Sequence, residues 1–296
     1  MSDKDGGVAV RDAAWHDLQY DNRRRVPEFA QHLARWREAS AQARTRLKCR
    51  LDIPYTPDGA VALDVFPAAQ AKARAKAPVL VFIHGGYWRS LSKAEFSFVA
   101  APFVAAGAMV VVPDYSLCPA VTVDTIALQC AQALAWVHRN AARHGGDAKR
   151  CVVAGHSAGG HLAAMLLAAD GHRMARDLPR QLVRSAVSIS GLHEMASIAS
   201  TPYLQGDLRL TPEVIARTSP AWFDAPEGIR LAAVVGALES EEFLRHNRLI
   251  RERWGEAAVP VCEELAGRNH FTALDEFVDP QSALHRRTLQ WLADRA

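Results

Sequence analysis

Two hydrophobic periods divide the chain. Up to about residue 46 the spacing is helical: Phe29, Leu33, Trp36 and Ala39 recur three or four residues apart, and Val26-Pro27 suits a helix start. From residue 47 the period drops to two. Residues 47–53 alternate, Asp58-Gly59 supplies a turn, and 61–66 alternate again, which predicts an antiparallel hairpin. Short strand-like runs follow at 78–83, 108–112, 151–154, 185–190, 231–235 and 259–265. Several of these are apolar throughout, as a strand buried on both faces must be. Between them, 93–106, 122–143 and 161–169 read as helices, and 280–296 as a closing one; Gly107 ends the first and Gly145-Gly146 follows the second.

A hairpin followed by repeated β–α units predicts the α/β class: a mostly parallel central sheet, an antiparallel N-terminal hairpin, and helices on both faces. No internal repeat or linker interrupts it, so residues 1–296 are expected to form a single domain. An N-terminal helical extension covers about 1–46. An irregular, cap-like insertion is expected over about 191–228, where the periodicity weakens and Pro202, Pro212, Pro220 and Pro226 cluster. Sheets of this class bind ligands beyond the carboxyl ends of their strands, where such an insertion would lie.

Composition narrows the function. With 49% hydrophobic and 23% charged residues the chain can bury a large core, and a net charge of +3 gives no reason to expect a nucleic-acid partner. The run Arg23-Arg24-Arg25 reads as a solvated helix start. Five cysteines, an odd number without C-x-x-C spacing, indicate neither a disulfide framework nor a zinc ribbon, and Cys151 and Cys262 read as reduced core residues. The first residues lack an apolar signal core, and no run of about 18 apolar residues occurs. A cytoplasmic protein with a small-molecule substrate, no membrane partner and no cofactor is expected. A homodimer is compatible with the sequence, but nothing in it specifies one.

The sharpest chemical signal is Gly155-His156-Ser157-Ala158-Gly159, between a buried strand and an Ala/Leu-rich helix. A serine on that turn projects its hydroxyl above the sheet, and flanking glycines are needed because side chains there would collide with the strand and the helix. The second signal is His84-Gly85-Gly86-Tyr87-Trp88, directly after a strand. Backbone N–H groups of Gly85, Gly86 and Tyr87, with that of Ala158, could hold the oxyanion of a tetrahedral intermediate. His84 is expected to brace this loop; a metal role is disfavoured because no second ligand lies at suitable spacing. The base must follow a late strand, which selects His270 in Gly267-Arg-Asn-His270-Phe271. His161, on the helix leaving the serine, would pack or line the site, and His246 and His285 read as surface residues. For the acid, Glu239 lies before the helix that Glu241 and Glu242 would join, so Glu239 is preferred to Glu241. Tyr87 and Trp88 could close a small acyl pocket or simply pack the loop.

With these motifs in place, the sequence resembles the α/β-hydrolase superfamily and, within it, the serine-dependent kynurenine formamidase group. His84-Gly-Gly-Tyr-Trp88, Gly155-His-Ser-Ala-Gly159, Asn269-His270-Phe271, Tyr20-Asp21-Asn22-Arg23 and Ser190-Gly191-Leu192 carry the resemblance. It implies hydrolysis of N-formylkynurenine to kynurenine and formate, with Ser157 as nucleophile, His270 as base and Glu239 as acid. Many relatives carry Asp at the acid position, one methylene shorter. The histidine-rich motif of the metal-dependent formamidases is absent from the sequence. Two other readings stand beside this one: a carboxylesterase using the same residues, and a catalytically silent hydrolase fold used for binding.

Overall fold

A computed structural model describes residues 11–69 and 76–294. The ends of the expected N-terminal extension and of the closing helix therefore lie outside the described residues. Eight strands form one sheet: β1 Arg50–Pro54, β2 Ala62–Phe66, β3 Ala77–Ile83, β4 Met109–Pro113, β5 Gly146–His156, β6 Ser185–Ile189, β7 Arg230–Gly236 and β8 Val261–Leu265. Their order across the sheet is β1-β2-β4-β3-β5-β6-β7-β8. β2 pairs antiparallel with both β1 and β4, and every pairing from β4 to β8 is parallel. Only β2 therefore runs against the rest.

The apolar runs are continuous because each strand feeds two cores. On β3, Val79, Val81 and Ile83 enter one core while Leu80 and Phe82 enter the other; on β4, Met109 and Val111 oppose Val110 and Val112. Helices Val123–Asn140, Ala158–Leu167 and Glu241–Ala258 cover the first face. Helices Phe29–Arg46 and Ala283–Ala293 cover the second, with Trp36, Trp291 and Leu292 buried. Among the described residues no helix is long and apolar enough to cross a membrane.

Proline accounts for two departures from the expected elements. In place of one helix over 93–106, two 3₁₀ turns, Lys93–Glu95 and Ser97–Val99, precede a short α-helix, Ala100–Ala105. A longer helix would put Pro102 in its interior, where the ring clashes with the preceding turn; starting at Ala100 puts it in the first turn. The segment 191–228 is not irregular. It contains helices Ala196–Ala199, Pro202–Leu208 and Pro212–Thr218 and a 3₁₀ turn, Pro220–Trp222, so three of its four prolines are helix starts. Nor is it mainly a cap: Leu192, Met195, Ile198, Leu204 and Leu208 are buried in the first core.

Histidine burial also differs from expectation. His246 and His285, read as surface residues, are 0% and 1% exposed, because their helix faces point inward. His285 Nδ1 bonds the Phe277 carbonyl at 2.9 Å. The fully buried cysteines are Cys118 and Cys130, whereas Cys151 and Cys262 are only partly buried; all five thiols are free.

Four buried histidines are held neutral, each chiefly by loss of hydration. Burial takes His156 to about 3, His161 to about 4 and His193 to about 3, and it drives His246 well below its ordinary range. Unfolded, each would titrate near 6.5. Below that pH the unfolded chain binds more protons than the folded one, so their stabilisation is complete above about pH 6.5 and is lost as pH falls. Denaturant unfolding at a series of pH values should show stability steady near pH 7.5 and falling between pH 6.5 and 5, by up to roughly 1.4 kcal/mol per pH unit for each histidine. A flat profile across that window would contradict their burial as neutral groups.

Candidate active site

Ser157 sits where β5 turns into helix Ala158–Leu167, with φ 58° and ψ −119°. A non-glycine residue in this region is strained by about 1–3 kcal/mol unless its surroundings hold it there. Here they do: Ser157 N–H donates to the Ile189 carbonyl at 2.8 Å, and its own carbonyl accepts from His161 N–H at 3.1 Å. The two motif glycines allow the turn to close. A methyl on Gly155 would lie 2.1 Å from the Gly159 carbonyl oxygen, and one on Gly159 would lie 2.0 Å from the Ile83 carbonyl oxygen of β3. Both are impossible contacts, so the collisions expected with helix and strand are realised on the backbone itself.

The loop after β3 lies directly against the serine. A methyl on Gly85 would stand 2.8 Å from the His156 carbonyl oxygen and 3.2 Å from Ser157 Cβ. Gly86, Tyr87 and Trp88 all have positive φ (117°, 50° and 56°), a tight left-handed turn closed by Arg89 and Ser90 N–H groups on the Gly86 carbonyl. The N–H groups of Gly86 and Tyr87 meet no acceptor among the described residues. The Ala158 N–H, first in its helix, also lacks an intrahelical partner. This set of free donors beside Ser157 is suited to a developing oxyanion.

His84, Trp88 and His161 stand behind the cavity. His84 is fully buried, stacked on Tyr115 at 4.1 Å; its Nδ1 bonds the Gly85 carbonyl at 2.8 Å and its Nε2 the Asp114 carboxylate at 3.1 Å. Trp88 is fully buried, and its indole N–H donates to His161 Nδ1 at 3.2 Å, which leaves His161 Nε2–H to donate to the Thr218 carbonyl at 2.7 Å. None of the three lines the cavity. They hold the loop and the first turn of the helix in place, and Trp88 does so despite its left-handed backbone.

His270 follows β8, and its Nδ1 lies 2.6 Å from Glu239 Oε2. The second Glu239 oxygen accepts from Ser190 Oγ at 2.5 Å and from Gly236 N–H at 2.7 Å. The carboxylate is thus buried without being left unpaired, which is the condition for keeping a charge there. Glu241 is exposed on the first helical turn, and Ser240 caps that helix through Phe243 N–H. Ser157 and His270 face the same cavity without a direct hydrogen bond, as such pairs commonly do before a substrate tightens the geometry.

Sequence reasoning passed over several residues that shape this site. His156 donates from Nε2 to the His270 carbonyl at 2.7 Å, so the residue before the serine holds the segment carrying His270. Ser190, which bonds Glu239, was legible only as part of a family-like stretch. Tyr87 Oη donates to the Tyr20 carbonyl at 2.7 Å and accepts from Asn22 Nδ2 at 3.2 Å. Tyr20 Oη in turn donates to Glu242 at 2.9 Å, beside His246, so one N-terminal segment ties the loop after β3 to the helix that follows Glu239. The cavity above Ser157 is walled by Trp36, Tyr87, Phe96, Tyr203 and Phe271. The N-terminal extension contributes Asn22, Arg23, Leu33 and Trp36 to its lining, while the 191–228 segment contributes Tyr203 alone. Among the described residues no three His, Cys, Asp or Glu side chains are grouped as metal ligands.

Glu239→Gln should lower kcat/KM by about 10⁴-fold, because an amide neither stabilises a positively charged His270 nor fixes its tautomer. Glu241→Gln should change stability by no more than about 1 kcal/mol through the helix dipole. Steady-state kinetics with circular dichroism on both variants checks this. An unimpaired Glu239→Gln would refute the assignment of the acid.

Comparison with known proteins agrees with this geometry. The BD-FAE family profile matches residues 63–207. Kynurenine formamidase of Danio rerio is 28% identical over 288 residues, covering 93% of this chain and 95% of its own. Among solved structures, a thioesterase candidate from Silicibacter sp. superposes with a TM-score of 0.76 at 26% identity, covering 90% of this chain and 96% of that one. The carboxylesterase EstE1, from a metagenomic library, shares the fold with a TM-score of 0.66 at 22% identity, covering 89% and 93%. Together with the strand order and the serine turn, these likenesses show an α/β-hydrolase fold, in a chain similar over nearly its whole length to kynurenine formamidases.

Proposed function

We propose that this protein is a serine hydrolase of aryl formamides that converts N-formyl-L-kynurenine to L-kynurenine and formate. The observation that carries this reading is the pairing of His270 with buried Glu239 at 2.6 Å in a cavity that also holds Ser157 and is walled by aromatic rings. Similarity to a kynurenine formamidase along 93% of the chain supports the choice of substrate.

Ser157 Oγ attacks the formyl carbon while His270 Nε2 takes the hydroxyl proton. The carbonyl oxygen becomes an oxyanion facing the N–H groups of Gly86, Tyr87 and Ala158. His270 then passes its proton to the arylamine nitrogen, the C–N bond breaks, and a formyl ester remains on Ser157. Water attacks that ester with His270 again as base, and formate leaves. The acyl side of the intermediate carries only hydrogen, so the tight packing of Gly85 against Ser157 suits it. The aromatic walls suit the departing aryl ring. A reducing, cytoplasmic setting fits five free thiols, two of which burial pushes up to about 11 (Cys118) and about 12 (Cys151).

A carboxylesterase would use the same machinery and differ in the leaving group, since p-nitrophenolate departs without a proton whereas an arylamine needs one. N-formylkynurenine should therefore be turned over with a higher kcat/KM than p-nitrophenyl acetate, and Ser157→Ala should lower both by about 10⁴-fold or more. Prolonged EDTA treatment should leave activity intact. Faster cleavage of the ester with no detectable formamide turnover would favour the esterase, and activity lost to EDTA but restored by zinc would overturn the serine mechanism.

A further inference from the structure

We infer that Arg23 binds a carboxylate carried by the substrate at the end remote from the scissile bond, and so makes the site selective for anionic aryl substrates. This rests on the reaction proposed above and names the class of substrate it takes. Two arginines, and no aspartate or glutamate, line the cavity over Ser157. Arg89 is already neutralised: its guanidinium meets Asp207 at 2.6 Å, donates to the Tyr203 carbonyl at 2.9 Å and lies over the Tyr203 ring. Arg23 makes no ion pair among the described residues and is exposed. Its neighbour Asp21 is engaged instead as the N-terminal cap on Arg24 N–H.

The place of Arg23 along the cavity follows from its packing. Its guanidinium lies 5.5 Å from the centre of the Phe29 ring, Phe29 lies against Phe271, and Phe271 meets His270 edge-on. Phe29 and Phe271 thus link Arg23 to His270, and Arg23, Phe271 and His270 all line the cavity. A substrate whose acyl carbon rests on Ser157 and whose aryl ring fills that space would bring its far end to Arg23. A guanidinium presents a planar fork of donors that matches a carboxylate in two bonds, which a lysine in the same place would not.

The experiment compares N-formyl-L-kynurenine with N-formylkynuramine, the same aryl formamide without the carboxylate. Wild type, Arg23→Ala, Arg23→Lys and Arg24→Ala are measured with both substrates. Arg24 is adjacent, exposed and away from the cavity, so it controls for loss of surface charge. Arg23→Ala should reduce the preference in kcat/KM for the carboxylate-bearing substrate by about 10- to 100-fold, mainly through KM. Arg23→Lys should restore part of it, and Arg24→Ala should keep the wild-type preference. Raising ionic strength should erode the preference in wild type but not in Arg23→Ala. An unchanged preference in Arg23→Ala, or equal losses in Arg23→Ala and Arg24→Ala, would overturn the inference. If wild type cleaves neither formamide, the proposed reaction fails while Arg23 is still decided: aryl acetates with and without a carboxylate must then show the same dependence, and a preference indifferent to Arg23 sinks it.

Discussion

The close approach of three backbone segments at the serine turn is the constraint on which the rest depends. Gly155 faces the Gly159 carbonyl, and Gly159 faces the Ile83 carbonyl of β3, with no room for a single methyl at either place. That contact locks the first turn of helix Ala158–Leu167 onto the sheet and holds Ser157 in a backbone region it would not choose by itself. It also brings the end of β3 against the serine, so the loop that follows delivers its N–H groups where an oxyanion would form. A looser turn would cost both the aim of the hydroxyl and the register of the donors.

Around this contact the molecule spends its buried polar groups on positioning. His84, His156 and His161 lie within the motif segments, yet each uses its ring nitrogens to hold backbone or side chain rather than to move protons. Burial keeps His156 and His161 uncharged. Glu239 accepts three hydrogen bonds, from His270, Ser190 and Gly236, drawn from three separate loops at one end of the sheet. The turn that carries Glu239 begins at Gly236, where the backbone approaches the Arg268 carbonyl closely.

The N-terminal extension is part of the site. Tyr20 and Asn22 hold Tyr87, Tyr20 also reaches Glu242, and Trp36 and Leu33 wall the cavity. A segment read as a helical preface thus fixes the loop after β3 from outside and shapes the space for the substrate. The proline-rich segment after β6 instead contributes to the core: proline begins two short helices and a 3₁₀ turn, and Leu204, Leu208, Val214 and Ala221 are buried.

What the sequence by itself determined was local. Continuous apolar runs specified strands buried on two faces, the glycines around Ser157 specified a turn without room for side chains, and the position of Glu239 ahead of a capped helix separated it from Glu241. These are legible because each depends on residues a few positions apart, governed by period, turn chemistry and capping. Tertiary structure decided which side chains meet across long separations. That His246 and His285 are buried, that Trp88 and His161 support the site from behind, that Ser190 bonds Glu239 and that Tyr20 reaches both Tyr87 and Glu242 depend on how helices dock on the sheet. Helical spacing alone does not say which neighbour covers a face, and the hydrogen bonds that satisfy a buried polar group come from wherever the fold brings a partner.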